Sequence, residues 1–279
     1  MTSSVITNNA AYVALQSLNQ TNSALQTTQN QISTGYRVSS ATDDGAAFAI
    51  AQNVRSNVTA LTTANQQLGF AKGLTNVTVS GLTGISNTMN AARMVLTNLA
   101  SSDMIGSERA QYQAQYATDL KQIKSDIQDT SYQGKTLVGN IAGSSGTFGS
   151  LSLIRNEVGG TFGVASFSGS AFFGSINFAT LTSTSAAAAL TAGGTFLNQQ
   201  TAIGTQLNAY GAASNYLDSQ QTFNNNKIDA LNSGLGSLID ADLTKESAQL
   251  QSLQVRQQLG TQALSIANSA PQSLLSLFK

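Results

Sequence analysis

Residues 11–32 read AYVALQSLNQTNSALQTTQNQI, a run of small, aliphatic and amide side chains without a charged residue. The apolar positions recur every seven residues, which is the spacing of a helix that packs along a partner helix. They are Ala11, Leu18, Leu25 and Ile32, with Leu15 beside the first of them. Gly35 predicts the end of this helix, because Gly commonly follows the last helical residue. A soluble helix ordinarily keeps a charged outer face, so we expect this one to be surrounded by protein on most sides.

The C-terminal end has the same character. A helix is predicted to start at Asp240-Ala241-Asp242, and Arg256 is its last charged residue before Lys279. One apolar stripe consists of Leu243, Leu250, Leu253, Leu264, Ala267 and Leu274. A second stripe lies roughly 130° away around the helix. It consists of Ala248, Val255, Leu259, Ala263, Ile266 and Ala270. One stripe serves one packing partner, so two stripes predict two partners.

The two uncharged ends predict that copies of this chain assemble into a polymer. A single chain of 279 residues is too small to surround both of its ends with protein. The neighbours that cover them are therefore expected to be copies of the same chain.

The composition narrows the function classes. Charged residues make up 9% of the chain, far below the roughly 25% of ordinary soluble domains. The 13 basic and 13 acidic residues balance, so nothing favours nucleic acid or a membrane as a partner. The absence of Cys excludes disulfides, and the absence of His removes the commonest general base and metal ligand. We expect no enzyme, no cofactor and no metal, and neither a cleaved signal peptide nor a membrane span.

The middle of the chain predicts more long helices. Ser40 and Asp43 have the spacing of a capping box, and Asp44 adds a second carboxylate at the same helix start. The helix that follows holds heptad spacing to Met89, with a break expected between Gly69 and Gly84. A further helix has the stripe Tyr112, Tyr116, Leu120, Ile123 and Ile127. Its charged residues are predicted to form a solvated face, and they are Asp119, Lys121, Lys124, Asp126 and Asp129.

Residues 139–194 differ in composition from the segments on either side, since Gly, Ser, Thr and Phe dominate there. Short alternating runs at 151–153, 162–164 and 176–178 predict strands and hairpins. From Phe196 to Leu238 the heptad pattern returns, which predicts a coiled-coil helix.

The fold class predicted from these patterns is mainly α. We expect an elongated antiparallel bundle or coiled coil of long helices, with a small β-hairpin region at the end away from the termini. Residues 1–42 and 239–279 would form a terminal coiled-coil domain. Residues 43–141 and 196–238 would form a helical bundle domain, and residues 142–195 a small Gly/Ser/Thr-rich β region.

Several runs at the two ends have a specific order and spacing. Near the N-terminus they are LQSLN at 15–19, QISTGYRVSSA at 31–41 and DDGAAFAIA at 43–51. Near the C-terminus they are DADL at 240–243, QLGTQAL at 258–264 and ANSAPQSLLSL at 267–277. Together with YQGK at 132–135, they resemble the signature of bacterial flagellins. The low charge and the Leu-Phe-Lys ending are most similar to alphaproteobacterial flagellins with a short variable region.

The resemblance implies a structural subunit that polymerises head-to-tail into the flagellar filament for motility. It also implies terminal helices that order on assembly into an inner coiled coil lining the central channel. The residues expected there are Leu15, Leu18, Leu25, Ile32, Leu243, Leu250, Leu253, Val255, Leu259, Leu264, Ile266, Leu274 and Leu277. Implied partners are other copies, the flagellar type III export apparatus, a C-terminal export chaperone, and the filament cap and hook-junction proteins. The implied location is extracellular, after export without a cleaved signal peptide.

One patch departs from the family pattern. Flagellins sensed by the vertebrate Toll-like flagellin receptor carry Arg-Val-Arg-Glu-Leu on the second long helix. The aligned stretch here includes Ala91, Arg93, Met94 and Val95, and it keeps one Arg while losing the other Arg and the Glu. Two charge-assisted contacts would be lost, so the resemblance predicts weak or no recognition.

Other interpretations remain open. The hook–filament junction protein shares terminal heptads, and an export-apparatus or pore-forming coiled coil would have stably folded ends. The acidic residues Asp43, Asp44, Asp240, Asp242 and Glu246 resemble metal or catalytic pairs, although each group sits at a predicted helix start, where capping is the usual role. Hydroxyl groups of the outer region are candidates for O-glycosylation, namely Thr161, Ser166, Ser168, Ser170, Thr182 and Ser183.

Overall fold

The computed structural model describes residues 7–178 and 180–276. Its helices are α1 (Asn9–Thr34), α2 (Gly45–Leu99), α3 (Gly106–Asp129), α4 (Gly169–Ile176), α5 (Ser183–Leu190), α6 (Thr195–Ile239) and α7 (Leu243–Ser276). Its strands are β1 (Lys135–Thr136), β2 (Thr147–Phe148), β3 (Leu151–Ile154) and β4 (Thr161–Val164). The predicted mainly helical class, with long packed helices and a small strand region, is confirmed.

The chain forms two compact units. The first contains the described residues up to 56 and from 230 onward, and the second contains residues 57–229. Both boundaries lie inside long helices, α2 and α6, where no loop or change in composition marks them. The three-part division predicted from composition differs from these units, and as a division of the assembled subunit it stays a prediction.

In the first unit, α1 packs along α7. Gly35 ends α1 as predicted, with the left-handed φ of 74° that favours Gly. The chain then pairs briefly with the segment before α7, as Arg37 and Val38 donate backbone hydrogen bonds to Ile239 O at 2.7 and 3.2 Å. Beneath this crossing lies a small core of Val38, Ala47, Ala51 and Ile239.

In the second unit, α2 and α6 run antiparallel. Polar side chains meet at four levels, Asn65 with Asn225, Lys72 with Asp218, Asn76 with Ser214, and Asn90 with Gln200. From one level to the next, the residue number on α2 rises by as many positions as the number of its partner on α6 falls. The two helices therefore hold one register throughout this part of the unit.

The break predicted between Gly69 and Gly84 is wrong, because α2 is continuous through these positions. Two of its glycines let the turn after α3 approach the helix closely. A Cβ at Gly73 would lie 2.7 Å from the Tyr132 ring, and one at Gly81 would lie 2.1 Å from Thr130 Oγ1. The glycines thus serve packing, which outweighs their low helix propensity of about 1 kcal/mol.

The charged face predicted for α3 is wrong at one position, since Asp119 is only 7% exposed. Its stripe is also shorter than predicted, because Tyr112 is exposed while Tyr116, Leu120, Ile123 and Ile127 are buried.

The region from 139 to 194 is less β-rich than predicted. The runs at 151 and 162 do form an antiparallel hairpin, which pairs Leu151 with Val164 and Ile154 with Thr161. The strand predicted at 176–178 is wrong, because Ile176 ends helix α4 and lies buried with Phe172, one turn earlier. A three-residue alternation is too short to separate a strand from the end of a helix. Helix α5 was also missed, although its run of four Ala strongly favours helix.

Candidate assembly surface

The antiparallel α1–α7 pair carries the two uncharged ends of the chain. Asn8 Nδ2 donates to Ala267 O at 2.7 Å, and Gln257 Nε2 donates to Asn22 Oδ1 at 2.7 Å. Between these two contacts the helices approach closely, since a Cβ at Gly260 would lie 3.2 Å from Leu18 Cδ1. Amide side chains and a glycine thus position the pair where an ordinary coiled coil would use charges.

One face of the pair is turned inward. The predicted assembly residues on it are half-buried or buried, and they are Leu18, Leu25, Ile32, Leu250, Leu253 and Leu264. The first stripe predicted for α7 therefore packs against α1, except that Leu243 is half exposed. The side chain of Leu274 and the whole of Leu277 lie outside the described residues.

The second stripe of α7 is not covered by any other part of the chain that the structure describes. Val255, Leu259 and Ile266 are 55%, 64% and 63% exposed. On α1, Tyr12, Val13 and Leu15 are likewise exposed. With Leu243, a single copy thus leaves seven large apolar side chains exposed along the described part of this helix pair, which is typical of an interaction surface.

Two shallow grooves lie on this pair. One follows α1 past Tyr12 and Leu15, with a volume of about 630 Å³. The other, of about 510 Å³, runs between the helices and is lined by residues of both, including Gln20, Leu253, Arg256 and Leu259. Both are open, and their linings consist of apolar, amide and hydroxyl side chains, with Arg256 as the charged residue of the second groove. Shallow, mostly uncharged linings of this kind suit the side chains of another helix.

The acidic residues near the base of the pair mostly bind backbone amides. Asp44 Oδ1 accepts from Ala46 N and Ala47 N, both at 3.0 Å, and so caps α2. Asp242 Oδ1 caps α7 in the same way through Thr244 N and Lys245 N. The carboxylate of Asp240 is exposed. Capping, rather than catalysis, is what this geometry can do.

The capping box predicted for Ser40 and Asp43 is wrong in detail. Asp43 Oδ2 accepts from the backbone amides of Ser39 and Ser40 at 3.0 and 2.9 Å, but no helix starts at Ser40. These two residues close the turn before the helix instead. Hydrogen bonds from Ser39 and then Ser40 lower the pKa of the Asp43 carboxyl below its ordinary value.

Sequence reasoning missed the contacts around Arg37. The guanidinium donates from Nη2 to Leu238 O at 2.5 Å, and Tyr36 forms an isolated antiparallel bridge with Asp240. The Arg55 guanidinium lies 5.9 Å from the centre of the Tyr36 ring. The signal available was that Arg37 is the first charge in the chain, but nothing in its spacing pointed to a carbonyl two hundred residues later.

The remaining predicted positions lie in the second unit. On α2, Arg93 and Met94 are exposed, Ala91 is half-buried, and Val95 belongs to the core. Among the hydroxyl groups, Thr161, Ser170 and Thr182 are exposed, and Ser166, Ser168 and Ser183 are half-buried. Ser168 and Thr182 cap α4 and α5, which occupies their oxygens. Lys135 follows a tight turn at Gly134, where φ is 76°.

The described part of the chain contains neither a grouped set of metal-ligating side chains nor a membrane-spanning helix. No three His, Cys, Asp or Glu side chains within residues 7–178 and 180–276 are grouped so that they could hold a metal ion. None of the described helices combines the length and the apolar character needed to span a bilayer.

Comparison with known proteins gives a consistent result. A family model described as the bacterial flagellin N-terminal helical region matches residues 5–142, and one described as the C-terminal helical region matches residues 194–278. Flagellin FljO of Caulobacter vibrioides is 36% identical over 99% of this chain and 98% of its own length. A flagellin of Brucella melitensis is 30% identical over 99% of both chains. The crystal structure of Bacillus cereus flagellin covers 66% of this chain and 94% of that chain, at 14% identity and a TM-score of 0.36.

Proposed function

The chain belongs to the bacterial flagellin family, and we propose that the α1–α7 pair is the surface through which its copies assemble. Flagellins are structural proteins that polymerise into the flagellar filament, and this chain is a subunit of that filament. The proposal concerns how these particular residues drive the polymerisation.

The exposed second stripe of α7 carries the proposal. Val255, Leu259 and Ile266 recur along one side of a helix whose other side already packs against α1. Moving a large aliphatic side chain from water into an apolar contact contributes about 1.5–3 kcal/mol. A neighbouring copy that covers this stripe would therefore gain several such contributions at once.

The two exposed sets also explain why assembly would continue without limit. The set on α1 contains Tyr12 and Val13, and the set on α7 contains Val255 and Leu259, so the two surfaces differ. Contact between unlike surfaces of identical subunits is head-to-tail, and it forms a helical polymer when the rotation does not close.

We also propose that the pair becomes fully ordered only in the filament, where it lines the central channel as an inner coiled coil. Thr28 is the only buried residue of α1, and Leu253 is the only buried residue among those of α7 whose exposure is described. Ordering a residue costs about 1–2 kcal/mol of backbone entropy. So little burial within one copy offsets only part of that cost, and neighbouring copies would supply the rest.

The partners proposed beyond other copies follow from the family. They are the flagellar type III export apparatus, a chaperone that binds the C-terminal segment, the filament cap and the hook-junction proteins. Export would proceed without a cleaved signal peptide. The absence of Cys suits a chain that travels extended through a narrow conduit. The filament itself lies outside the cell, which is the location of the assembled chain.

Electron microscopy of the purified full-length chain under seeded polymerisation tests the proposed surface. Wild-type protein should form long filaments. A triple variant, Val255→Ser, Leu259→Ser and Ile266→Ser, should not form them at the same concentration. Short rings or caps from the wild type would instead favour the hook–filament junction alternative.

A matched control keeps the interpretation specific. Gln254→Ser, Gln258→Ser and Gln262→Ser change three exposed polar residues of the same helix. This control should polymerise like the wild type. If the apolar triple variant also does so, the second stripe is not the assembly surface.

A further inference from the structure

Arg256 is an isolated cation on an otherwise uncharged surface. No charged residue precedes Arg37, so α1 has none, and Arg256 is the only one between Glu246 and Lys279. It lies in the groove between the helices, next to Leu259 and Gly260 of α7 and Gln20 of α1. Its neighbour Val255 belongs to the exposed stripe.

No carboxylate in the described part of its helix pair lies within ion-pair distance of Arg256. The ion pairs within residues 7–178 and 180–276 are Lys72 with Asp218 and Lys227 with Glu157. Helix α1 offers no acidic residue, and Glu246 lies ten residues earlier on α7, about 15 Å along the axis. In a single copy Arg256 is exposed to solvent.

Assembly changes this situation, and here the argument rests on the proposed function. When a neighbouring copy covers Val255 and Leu259, it also removes water from Arg256, which follows Val255 in the sequence and lines the groove together with Leu259. Burying a guanidinium without an anionic partner is strongly unfavourable, because the charge loses its hydration and gains no compensating contact. The covering copy therefore has to supply an anion, because the copy that carries Arg256 has none within reach.

The carboxylates of the first unit differ in the number of hydrogen bonds that they accept within the chain. Those of Asp43, Asp44 and Asp242 each accept at least two backbone hydrogen bonds. Asp240 is exposed, and within the described part of the chain its carboxylate accepts no hydrogen bond. It lies just before α7, beside the crossing of the chain at Tyr36. Glu246 also has a carboxylate oxygen without a partner in the described part of the chain, but that oxygen is buried and the residue is half-buried. Asp240 is thus the exposed carboxylate of this unit that is best placed to pair with a cation from outside.

We propose that Arg256 of one copy forms an ion pair with Asp240 of a neighbouring copy, and that this pair sets the axial offset between the two. Arg256 lies thirteen residues beyond the first residue of α7, which is about 20 Å along the helix. Asp240 lies three residues before that first residue, so parallel neighbours joined by this pair are displaced by about 20–25 Å along α7. The apolar stripe alone would allow one copy to shift along the other, because Val255, Leu259 and Ile266 are similar apolar contacts repeated along the helix. An ion pair, in contrast, has one optimal position.

The test compares critical concentrations for polymerisation, measured by sedimentation of the full-length chain. Arg256→Glu should raise the critical concentration about tenfold or more, because it places two carboxylates together. Adding Asp240→Arg to the same chain reverses both charges and should restore a value near that of the wild type. The wild-type critical concentration should also rise with added salt, and that of Arg256→Gln should rise less.

The control is the double variant Arg256→Glu with Asp229→Arg, which has the same net charge as the swap. Asp229 is exposed on α6 in the other unit, so this variant should remain as defective as Arg256→Glu alone. Wild-type polymerisation of Arg256→Glu would overturn the ion pair, and so would a defect that Asp229→Arg rescues as well as Asp240→Arg. Either result would leave the assembly surface standing, because that surface is tested separately by the variants of Val255, Leu259 and Ile266.

Discussion

Asn65 on α2 and Asn224 on α6 share a hydrogen bond in the second unit (residues 57–229), which is the larger unit, since Asn224 Nδ2 donates to Asn65 Oδ1 at 2.9 Å. Asn224 is fully buried, and the same Nδ2 also donates to Arg155 O at 3.0 Å, at the end of strand β3. One amide thus ties together two long helices and the hairpin. A buried polar side chain of this kind favours a single register of a coiled coil over shifted ones.

Replacing Asn224 with Ala should destabilise the larger unit by about 1–3 kcal/mol, because it leaves the Asn65 oxygen without this donor and removes one of two donors to the Arg155 carbonyl, the other being Gln220 Nε2 at 3.3 Å. Urea unfolding of the monomer, followed by circular dichroism, measures the change. Asn226→Ala is the matched control, since Asn226 is exposed on the same helix. Equal stabilities of the two variants would show that the Asn224 network does not contribute.

The glycines of α2 give a second prediction. Gly81→Ala places a methyl group 2.1 Å from Thr130 Oγ1, so it should destabilise the unit by about 1–3 kcal/mol. Gly204→Ala on α6 meets nothing within 4 Å and should stabilise the protein, by about 0.5–1 kcal/mol, through helix propensity. Thermal unfolding compares the two variants directly. A stabilising Gly81→Ala would contradict the close approach of Thr130.

These glycines also show where sequence reasoning reached its limit. Heptad spacing revealed the long helices and the two stripes of α7, because a helix exposes its packing faces in its own sequence. The purpose of Gly73 and Gly81 depends on Tyr132 and Thr130, which lie about fifty residues later in the sequence. No local pattern contains that contact, so the glycines resembled a break. The prediction that Asp119 lies on a solvated face was wrong for the same reason, because its burial is caused by elements that lie elsewhere in the sequence.

The surface of α2 predicts little or no activation of the vertebrate Toll-like flagellin receptor. Arg93 and Met94 are exposed there, and the family resemblance aligns Ala91 and Met94 with the Arg and Glu of recognised flagellins. Restoring both with Ala91→Arg and Met94→Glu should increase activation in receptor-expressing cells, because charge-assisted contacts are regained. Wild-type activation comparable to that of a recognised flagellin would contradict the prediction.

Asp119 makes the stability of the larger unit depend on pH. Gln115 Nε2 donates to its Oδ1 at 3.1 Å, but its buried Oδ2 has no hydrogen-bond partner within the described part of the chain. Burial raises the pKa of this carboxyl above its ordinary value of 3.8, and the Gln115 hydrogen bond opposes that effect. Burial, with a smaller contribution from Asp119, also raises the pKa of Tyr116, whose hydroxyl donates to Ile176 O.

The direction of the pH effect follows from the raised pKa. The folded state holds the Asp119 proton more tightly than the unfolded state, so the stabilisation from protonation is complete below pH 3.8. It is lost as the pH rises through the higher pKa of the folded state. Asp119→Asn removes this titration, so the variant should gain stability over the wild type between acidic and neutral pH, by about 1 kcal/mol or more at pH 7.

Urea unfolding of monomers across this pH range measures the difference, and Glu157→Gln is the control of opposite sign. The hydrogen bond from Lys227 lowers the pKa of the Glu157 carboxyl below its ordinary value of 4.5. Its contribution is therefore present above pH 4.5 and is lost as the pH falls through the lower pKa of the folded state. Glu157→Gln should thus lose stability at neutral pH, where Asp119→Asn gains it. If the difference in stability between Asp119→Asn and the wild type did not change with pH, burial would not raise the pKa of the Asp119 carboxyl.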